Sequence, residues 1–126
     1  MAAMEVHGVE GLPEVEPGDD LARLIGEAAD IEDEDVLCVA SSVVSKAEDR
    51  LFDLAAFPAG RRARSIARHL EALSGEEKDP RFAQAVLEES EELLMEAPFL
   101  LCRTRFGHIG VNAGIDRSNT GGADLL

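Results

Sequence analysis

The chain has 126 residues, of which 45% are hydrophobic, and its 26 acidic and 12 basic side chains give a formal net charge of −14. This length suits one domain over residues 1–126, or one part of a larger domain, and the hydrophobic fraction is too high for wholesale disorder. An acidic surface repels nucleic acids and anionic lipid headgroups, so we expect neither nucleic-acid binding nor peripheral membrane binding.

The first part of the chain is predicted to contain two strands and one helix. Residues 6–12 form a short strand that ends in a Gly-Leu-Pro turn. A helix follows from residue 17, because its apolar residues recur at helical spacing; they are Leu21, Leu24, Ile25, Ala28 and Ala29. After an acidic loop at 30–35, the apolar run at 36–40 is predicted to be a buried strand that contains Cys38.

The rest of the chain is predicted to contain two helices and a hairpin. One helix begins near Pro58 and ends at Gly75; its buried stripe consists of Ala63, Ile66, Ala67 and Leu70. Asp79 suits the N-cap of another helix over residues 80–92. Residues 99–105, which contain a buried Cys102, and residues 109–112 are strands joined by a turn at 106–108. The fold class is therefore α+β or mixed α/β.

The composition also indicates where the protein works. The basic residues are ten Arg and only two Lys, Lys46 and Lys78, and excess carboxylate with little Lys is what we expect in a salt-rich cytoplasm. An ordinary acidic protein with an Arg-rich codon bias is the alternative. No apolar run approaches the roughly 20 residues of a membrane span, and the first residues lack the basic and apolar regions of a signal peptide. We therefore expect a cytoplasmic protein.

The charge is distributed unevenly along the chain. Residues 1–49 carry −12 and residues 76–101 carry −6, whereas the other two segments are slightly basic. On the second predicted helix, Arg61, Arg64 and Arg68 share one face and can attract an anionic substrate, or they remain salt-bridged and solvated. The acidic run at 88–92 is predicted to be a solvated face.

Two stretches carry residue types suited to phosphate or metal. Residues 41–46 follow the predicted buried strand, where ligand sites of α/β folds often lie, and Lys46 can neutralise phosphate charge. The alternative is a polar strand end with a solvated lysine. In the loop at 112–119, Asp116 and Asn119 can present oxygens to one ligand, and Asp is a natural ligand for Mg²⁺ or Mn²⁺. The alternative there is an Asx-turn in which the side chains bond their own backbone.

Four blocks, taken in order, resemble the coenzyme F-420-0:L-glutamate ligase family, also called coenzyme F-420 gamma-glutamyl ligase. The blocks are residues 11–13, 41–48, 84–92 and 106–119. The resemblance runs from about Met4 to the last residue, and the lysine-poor composition fits a haloarchaeal member.

The resemblance implies a gamma-glutamyl-ligase-like mixed α/β fold, an intertwined homodimer and a cytoplasmic biosynthetic enzyme. It further implies GTP-dependent addition of L-glutamate, and then of a γ-linked second glutamate, to the phospholactyl tail of coenzyme F-420-0 through an acyl phosphate. Mn²⁺ or Mg²⁺ is required, and K⁺ assists. The implied GTP-binding positions are Gly11, Leu12, Pro13, Glu14, Ser41, Ser42, Lys46 and Asn119, and Asp116 matches a metal ligand. Position 14 is usually apolar in the family, so Glu14 departs from its pattern.

The length departs from the family more strongly. Its members are roughly twice as long, so the chain resembles an N-terminal portion of the ligase domain, with the C-terminal half absent. We expect such a portion to be inactive alone. The rival hypothesis is a non-catalytic binding or interaction module that retains half of the ligase fold.

Overall fold

The computed structural model describes residues 4–126. The chain divides into two compact units, one ending at Arg50 and one spanning Leu51–Leu126, and each is described by itself. The elements, in chain order, are helices α1 (Leu21–Ala28), α2 (Ser41–Ala47), α3 (Arg61–Ser74) and α4 (Pro80–Glu89), followed by strands β1 (Ser90–Met95), β2 (Leu101–Thr104) and β3 (Ile109–Val111). Short 3-10 helices lie at Leu54–Ala56 and Asn112–Gly114. The mixed α+β class is thereby confirmed.

In the first unit, the predicted helix is confirmed and the two predicted strands are wrong. The side chain of Asp20 caps α1 by accepting a hydrogen bond from the Arg23 amide at 3.1 Å. Residues 6–12 and 36–40 form no strand, and the second run is exposed throughout, with Val36 at 87% and Cys38 also exposed. An apolar run becomes a buried strand only when another strand pairs with it. No described residue of this unit supplies that partner.

The stretch after residue 40 is also helical, so the polar strand end that was one of two alternatives for it is wrong. Helix α2 begins at Ser41 and carries Lys46 in its last turn. Two backbone hydrogen bonds connect the end of α2 with its neighbours, one from the Gly18 amide to the Ala47 carbonyl and one from the Arg50 amide to the Ser45 carbonyl, each 2.8 Å long. The helix is therefore fixed against the turn that precedes α1.

In the second unit, both predicted helices are present with shifted ends. Helix α3 begins at Arg61 instead of near Pro58, and it ends as predicted at Gly75, whose φ of +72° is a left-handed C-cap. Helix α4 begins with Pro80 after the predicted N-cap Asp79. It ends at Glu89, three residues before the predicted end, because Ser90 already pairs in a sheet.

The sheet contains the predicted hairpin and one strand that was not predicted. All neighbours are antiparallel in the order β1-β2-β3, and Cys102 lies opposite Leu93 on one side and Gly110 on the other. The turn between β2 and β3 closes with a bond from the Gly107 amide to the Thr104 carbonyl, and Gly107 has a φ of +79°. Strand β1 occupies part of the acidic run that was predicted to be a solvated face.

The core of the second unit consists of two clusters. The first joins α3, α4 and the sheet, and its buried members are Ala63, Ile66, Ala83, Val86, Leu100 and Cys102. The second joins α4 to the end of the chain through Leu54, Phe57, Ala85 and Leu125. The burial predicted for Cys102 is confirmed. Among residues 4–126, no helix has the length and apolar character that crossing a membrane requires.

Candidate functional site

In the first unit, the structure brings together two stretches that the sequence predicts to bind phosphate. The Lys46 ammonium donates a hydrogen bond to Glu14 Oε1 at 2.6 Å, although the two residues are 32 positions apart. The Lys46 side chain is only 16% exposed, whereas the Glu14 side chain is 77% exposed. The turn at residues 11–14 and helix α2 therefore meet around one lysine, whose partner is the residue that departs from the expected family pattern.

The other predicted positions of this unit lie on the same two stretches. Gly11 has a φ of +80°, which only glycine adopts without strain, and it is followed by the exposed Leu12 and Pro13. Ser41 is exposed and Ser42 is half-buried at the start of α2. Within the described part of the chain, neither serine hydroxyl makes a hydrogen bond. Both hydroxyls are therefore available to a ligand.

In the second unit, Asp116 organises the loop that follows the Asn112–Gly114 turn. Its Oδ1 accepts the amides of Arg117 and Ser118 at 2.7 and 3.0 Å, and its Oδ2 accepts the Ser118 hydroxyl at 2.5 Å. These hydrogen bonds, the Ser118 hydroxyl foremost, lower the pKa of the Asp116 carboxyl below its usual value. The Asx-turn expected as the alternative is therefore present, and it keeps this exposed carboxylate ionised.

Two backbone hydrogen bonds with Leu126 fix the position of Asp116 in its loop. The Asp116 amide donates to the Leu126 carbonyl at 2.9 Å, and the Leu126 amide donates back to the Asp116 carbonyl at 3.0 Å. Asn119, at the exposed side of the loop, has a left-handed φ of +54°. No hydrogen bond involves its side chain amide among residues 4–126.

The metal position predicted at Asp116 consists of one carboxylate. No group of three or more His, Cys, Asp or Glu side chains suited to a metal occurs in the part of the chain that the structure describes. The three hydrogen bonds leave one lone pair of the carboxylate, on Oδ2, for a metal. One such ligand fits Mg²⁺ or Mn²⁺ when phosphate oxygens and water complete the shell, because Mg²⁺ is commonly held by one or two carboxylates and its substrate. Asp116 is thus suited to a metal that arrives with a nucleotide.

The arginine face on α3 stays largely solvated. Arg61, Arg64 and Arg68 are exposed, and none of the three forms an ion pair within the described residues. The neighbouring Arg62 pairs with Glu96 at 3.0 Å. This arrangement agrees with the interpretation as a solvated face, and it leaves attraction of an anion as a prediction.

A cleft in the second unit was missed by sequence reasoning. It has a volume of about 430 Å³ and is lined by Glu77, Asp79, Pro80, Arg81 and Arg117. Its walls come from the connection between α3 and α4 and from the Asp116 loop, which are far apart in sequence. The only sequence feature that pointed to this cleft was the position of Arg117 immediately after Asp116.

Comparisons with known proteins match these stretches to one family. The sequence model of the family described as F420-0:Gamma-glutamyl ligase matches residues 11–126. Proteins named coenzyme F420:L-glutamate ligase from Natronomonas pharaonis and Halorubrum lacusprofundi are 66% and 64% identical over 123 residues, which is 98% of this chain and 49% of each relative. The protein of the same name from Archaeoglobus fulgidus is 50% identical over 98% of this chain and 47% of its own length. The chain therefore spans about half the length of the curated relatives that it matches.

Proposed function

The chain belongs to the F420-0:gamma-glutamyl ligase family, and on that basis we propose that it is part of a GTP-dependent ligase of coenzyme F-420 biosynthesis. The whole enzyme would join L-glutamate, and then a second glutamate in γ-linkage, to the phospholactyl tail of coenzyme F-420-0. The high identity to relatives named coenzyme F420:L-glutamate ligase supports a role in that biosynthesis. For the 126 residues themselves, the proposal is binding of GTP and of the metal that accompanies it.

The contact between Lys46 and Glu14 is the observation that carries the nucleotide proposal. It joins two separate stretches around a largely buried ammonium group, with the Ser41 and Ser42 hydroxyls on the same helix. An ammonium group and free hydroxyls are the donors that phosphate oxygens need. In a first unit that is otherwise strongly acidic, Lys46 is one of three basic residues, with Arg23 and Arg50, so it would supply much of the attraction for an anion.

Asp116 would hold the divalent ion that the proposal requires, Mn²⁺ or Mg²⁺, with Asn119 in the same loop contacting GTP. The low pKa of the Asp116 carboxyl favours this role, because only an ionised carboxylate coordinates a metal well. When bound, the ion would supply neutralisation of the charge on the phosphate oxygens. The resemblance extends the proposal to a K⁺ ion and to a homodimer.

The proposed chemistry proceeds through an acyl phosphate. A carboxylate oxygen of the deazaflavin substrate attacks the γ-phosphorus of GTP, and GDP leaves. The amine of L-glutamate then attacks the acyl carbon, the bond to phosphate breaks, and the amine loses a proton as the amide forms. Such transfers between anions depend on positioning and charge neutralisation. Lys46 would offset phosphate charge, and the Ser41 and Ser42 hydroxyls would orient the phosphates.

Thermal unfolding of the purified chain with and without GTP and Mn²⁺ tests the nucleotide site. At a ligand concentration 100 times its dissociation constant, binding stabilises the native state by roughly 2.7 kcal/mol. The shift in Tm should be largely lost in Lys46→Ala and in Asp116→Ala. The matched controls are Lys78→Ala, which removes the other lysine, and Asp53→Asn, which neutralises another exposed aspartate. A shift of equal size in all four variants would contradict the proposed site.

A second assay separates the ligase from the non-catalytic module. The chain is incubated with GTP, Mn²⁺, L-glutamate and coenzyme F-420-0, and glutamylated product is measured by mass spectrometry beside a haloarchaeal relative. If the relative forms product and this chain binds the nucleotide, the result supports the proposal that this chain carries part of the GTP site. Because the portion is expected to be inactive alone, the assay is repeated with the C-terminal half of the relative added. Glutamylated product in that mixture would support the ligase, and nucleotide binding without product would favour a module that only binds.

A further inference from the structure

The cleft between the α3–α4 connection and the Asp116 loop has charges of both signs. Two carboxylates, of Glu77 and Asp79, and two guanidinium groups, of Arg81 and Arg117, line a volume of about 430 Å³. Small-molecule sites generally occupy roughly 300–1,000 Å³ and carry a few convergent polar groups. The volume falls in that range although the cleft is open to solvent, and the mixed lining suits a small polar molecule.

Two of these four charges neutralise each other. Arg81 holds Asp79 through its Nε, at 3.1 and 3.2 Å from the two carboxylate oxygens, and through its Nη2, at 2.7 Å from Oδ2. The same carboxylate also accepts the Arg81 amide at 2.8 Å as the cap of α4. This pair is a structural unit whose donors and acceptors already satisfy each other, so it offers little net charge to a ligand.

The other two charges make no direct ion pair, although the pKa of the Asp79 carboxyl is lowered most by the Arg81 hydrogen bond and least by the Arg117 charge. Neither Glu77 nor Arg117 forms a side-chain hydrogen bond or an ion pair with any residue in the described range 4–126. The Arg117 guanidinium carbon lies 6.0 Å from the centre of the Phe82 ring on α4, which is the outer limit of a cation–π contact. A guanidinium that stacks on an aromatic ring keeps its N–H edge free, and that edge binds a carboxylate with two parallel hydrogen bonds.

We propose that this cleft binds an α-amino acid, with Arg117 contacting its carboxylate and Glu77 its ammonium group. This identification rests on the proposed function, in which the amino acid is the L-glutamate that the ligase consumes. Arg117 in the Asp116 loop and Glu77 in the α3–α4 connection supply a positive and a negative charge, which match the two charges of a zwitterion. A simple anion would be repelled by the Glu77 carboxylate. Arg117 directly follows Asp116, so the amino acid would lie beside the loop proposed to hold the metal and the phosphates.

Binding of L-glutamate to the whole chain tests the proposal. A titration followed by ¹H–¹⁵N NMR should shift the amide resonances of residues 77 and 117 and give a dissociation constant. Arg117→Ala should weaken this constant by about tenfold or more, because it removes charge-assisted hydrogen bonds. Arg117→Lys keeps the charge but cannot donate two parallel hydrogen bonds to a carboxylate, so it should give an intermediate dissociation constant. Arg64→Ala is the matched control, since it removes another exposed arginine without an ion pair among the described residues.

Glutarate, which lacks the ammonium group, tests the role of Glu77. The unmodified chain should bind L-glutamate more tightly than glutarate, and Glu77→Gln should remove that preference. Equal binding of the two compounds by the unmodified chain would overturn the assignment of Glu77. No shift at residues 77 and 117, or equal losses in Arg117→Ala and Arg64→Ala, would overturn the proposal as a whole.

The outcome is separable from that of the proposed function. If GTP and Mn²⁺ stabilise the chain through Lys46 and Asp116 while L-glutamate leaves the cleft resonances unchanged, the amino-acid site is wrong and the nucleotide proposal stands. If L-glutamate binds through Arg117 while GTP produces no shift in Tm, the nucleotide proposal fails and the cleft remains an amino-acid site. All of the substituted side chains in the cleft are exposed, so each variant can be checked for an unchanged Tm without ligand.

Discussion

Replacing Glu14 by Gln should tighten the binding of GTP. In the structure the Glu14 carboxylate lies 2.6 Å from the Lys46 ammonium, so an incoming phosphate must share or displace this partner. Ion pairs with an exposed member contribute about 0.2–1 kcal/mol, and Glu14 is 77% exposed. Two like charges 4 Å apart in water repel by about 1 kcal/mol, so the removed repulsion has the same magnitude. We therefore expect the dissociation constant for GTP to fall by a factor of about two to five.

The salt dependence of this gain gives a sharper test than its size. The Debye length falls from about 10 Å at 0.1 M salt to about 3 Å at 1 M, so the advantage of Glu14→Gln should shrink as KCl is added. Isothermal titration calorimetry with GTP and Mn²⁺ at several KCl concentrations measures both quantities. The control is Glu10→Gln, an exposed glutamate on the same segment that makes no ion pair within residues 4–126. Weaker binding by Glu14→Gln would refute the competition, because Glu14 would then contact the nucleotide favourably.

Three further substitutions test other parts of the structure. Ser118→Ala should raise the pKa of Asp116, observed by ¹³C NMR titration, because the Ser118 hydroxyl is the main cause of its lowered value. The stability linked to that low pKa is complete above the ordinary pKa of Asp and is lost as the pH falls through the lowered value, so the variant should lose less on acidification. Leu100→Ala should cost about 2–5 kcal/mol in urea unfolding, since Leu100 is 2% exposed, whereas Leu73→Ala at a 59% exposed site should stay within about 0.5 kcal/mol. Asp79→Ala should cost about 0.5–2 kcal/mol through loss of the α4 cap, seen as a lower Tm.

Local sequence signals predicted those elements whose stabilising groups lie close together in the chain. The cap at Asp79, the glycine after Ser74 and the tight turn around Gly107 each act within a few residues, and all three are present in the structure. The end of α4 was predicted less well. Its acidic side chains continue into β1, where antiparallel pairing with β2 overrides the helical pattern.

The runs at 6–12 and 36–40 show the limit of periodicity. An apolar sequence predicts that a segment is suited to a buried strand, but the backbone hydrogen bonds of a strand come from a partner elsewhere. Without such a partner among the described residues, both runs form no strand, and Cys38 is exposed instead of buried.

In the candidate site, too, features set by neighbouring residues were predictable and features set by distant residues were not. The Asx-turn at Asp116 depends on residues one and two positions away, and the sequence predicted it as one of two alternatives. The contact of Lys46 with Glu14 and the cleft that Glu77 and Arg117 both line depend on how distant stretches fold together. Single-sequence reasoning could name the lysine and the aspartate by chemistry, but it could not name their neighbours.

The double hydrogen bond between Leu126 and Asp116 couples the candidate site to local unfolding. Leu125 is buried in the second core cluster and pairs with Phe52, so the Leu126 amide exchanges its proton with solvent only when this end of the chain detaches. Detachment would also break the two backbone hydrogen bonds that hold Asp116, and the Asx-turn that carries its carboxylate would lose its position. A ligand that binds the ordered carboxylate must therefore slow hydrogen exchange at the Leu126 amide, which bonds the Asp116 backbone, by the same factor by which it disfavours the detached state.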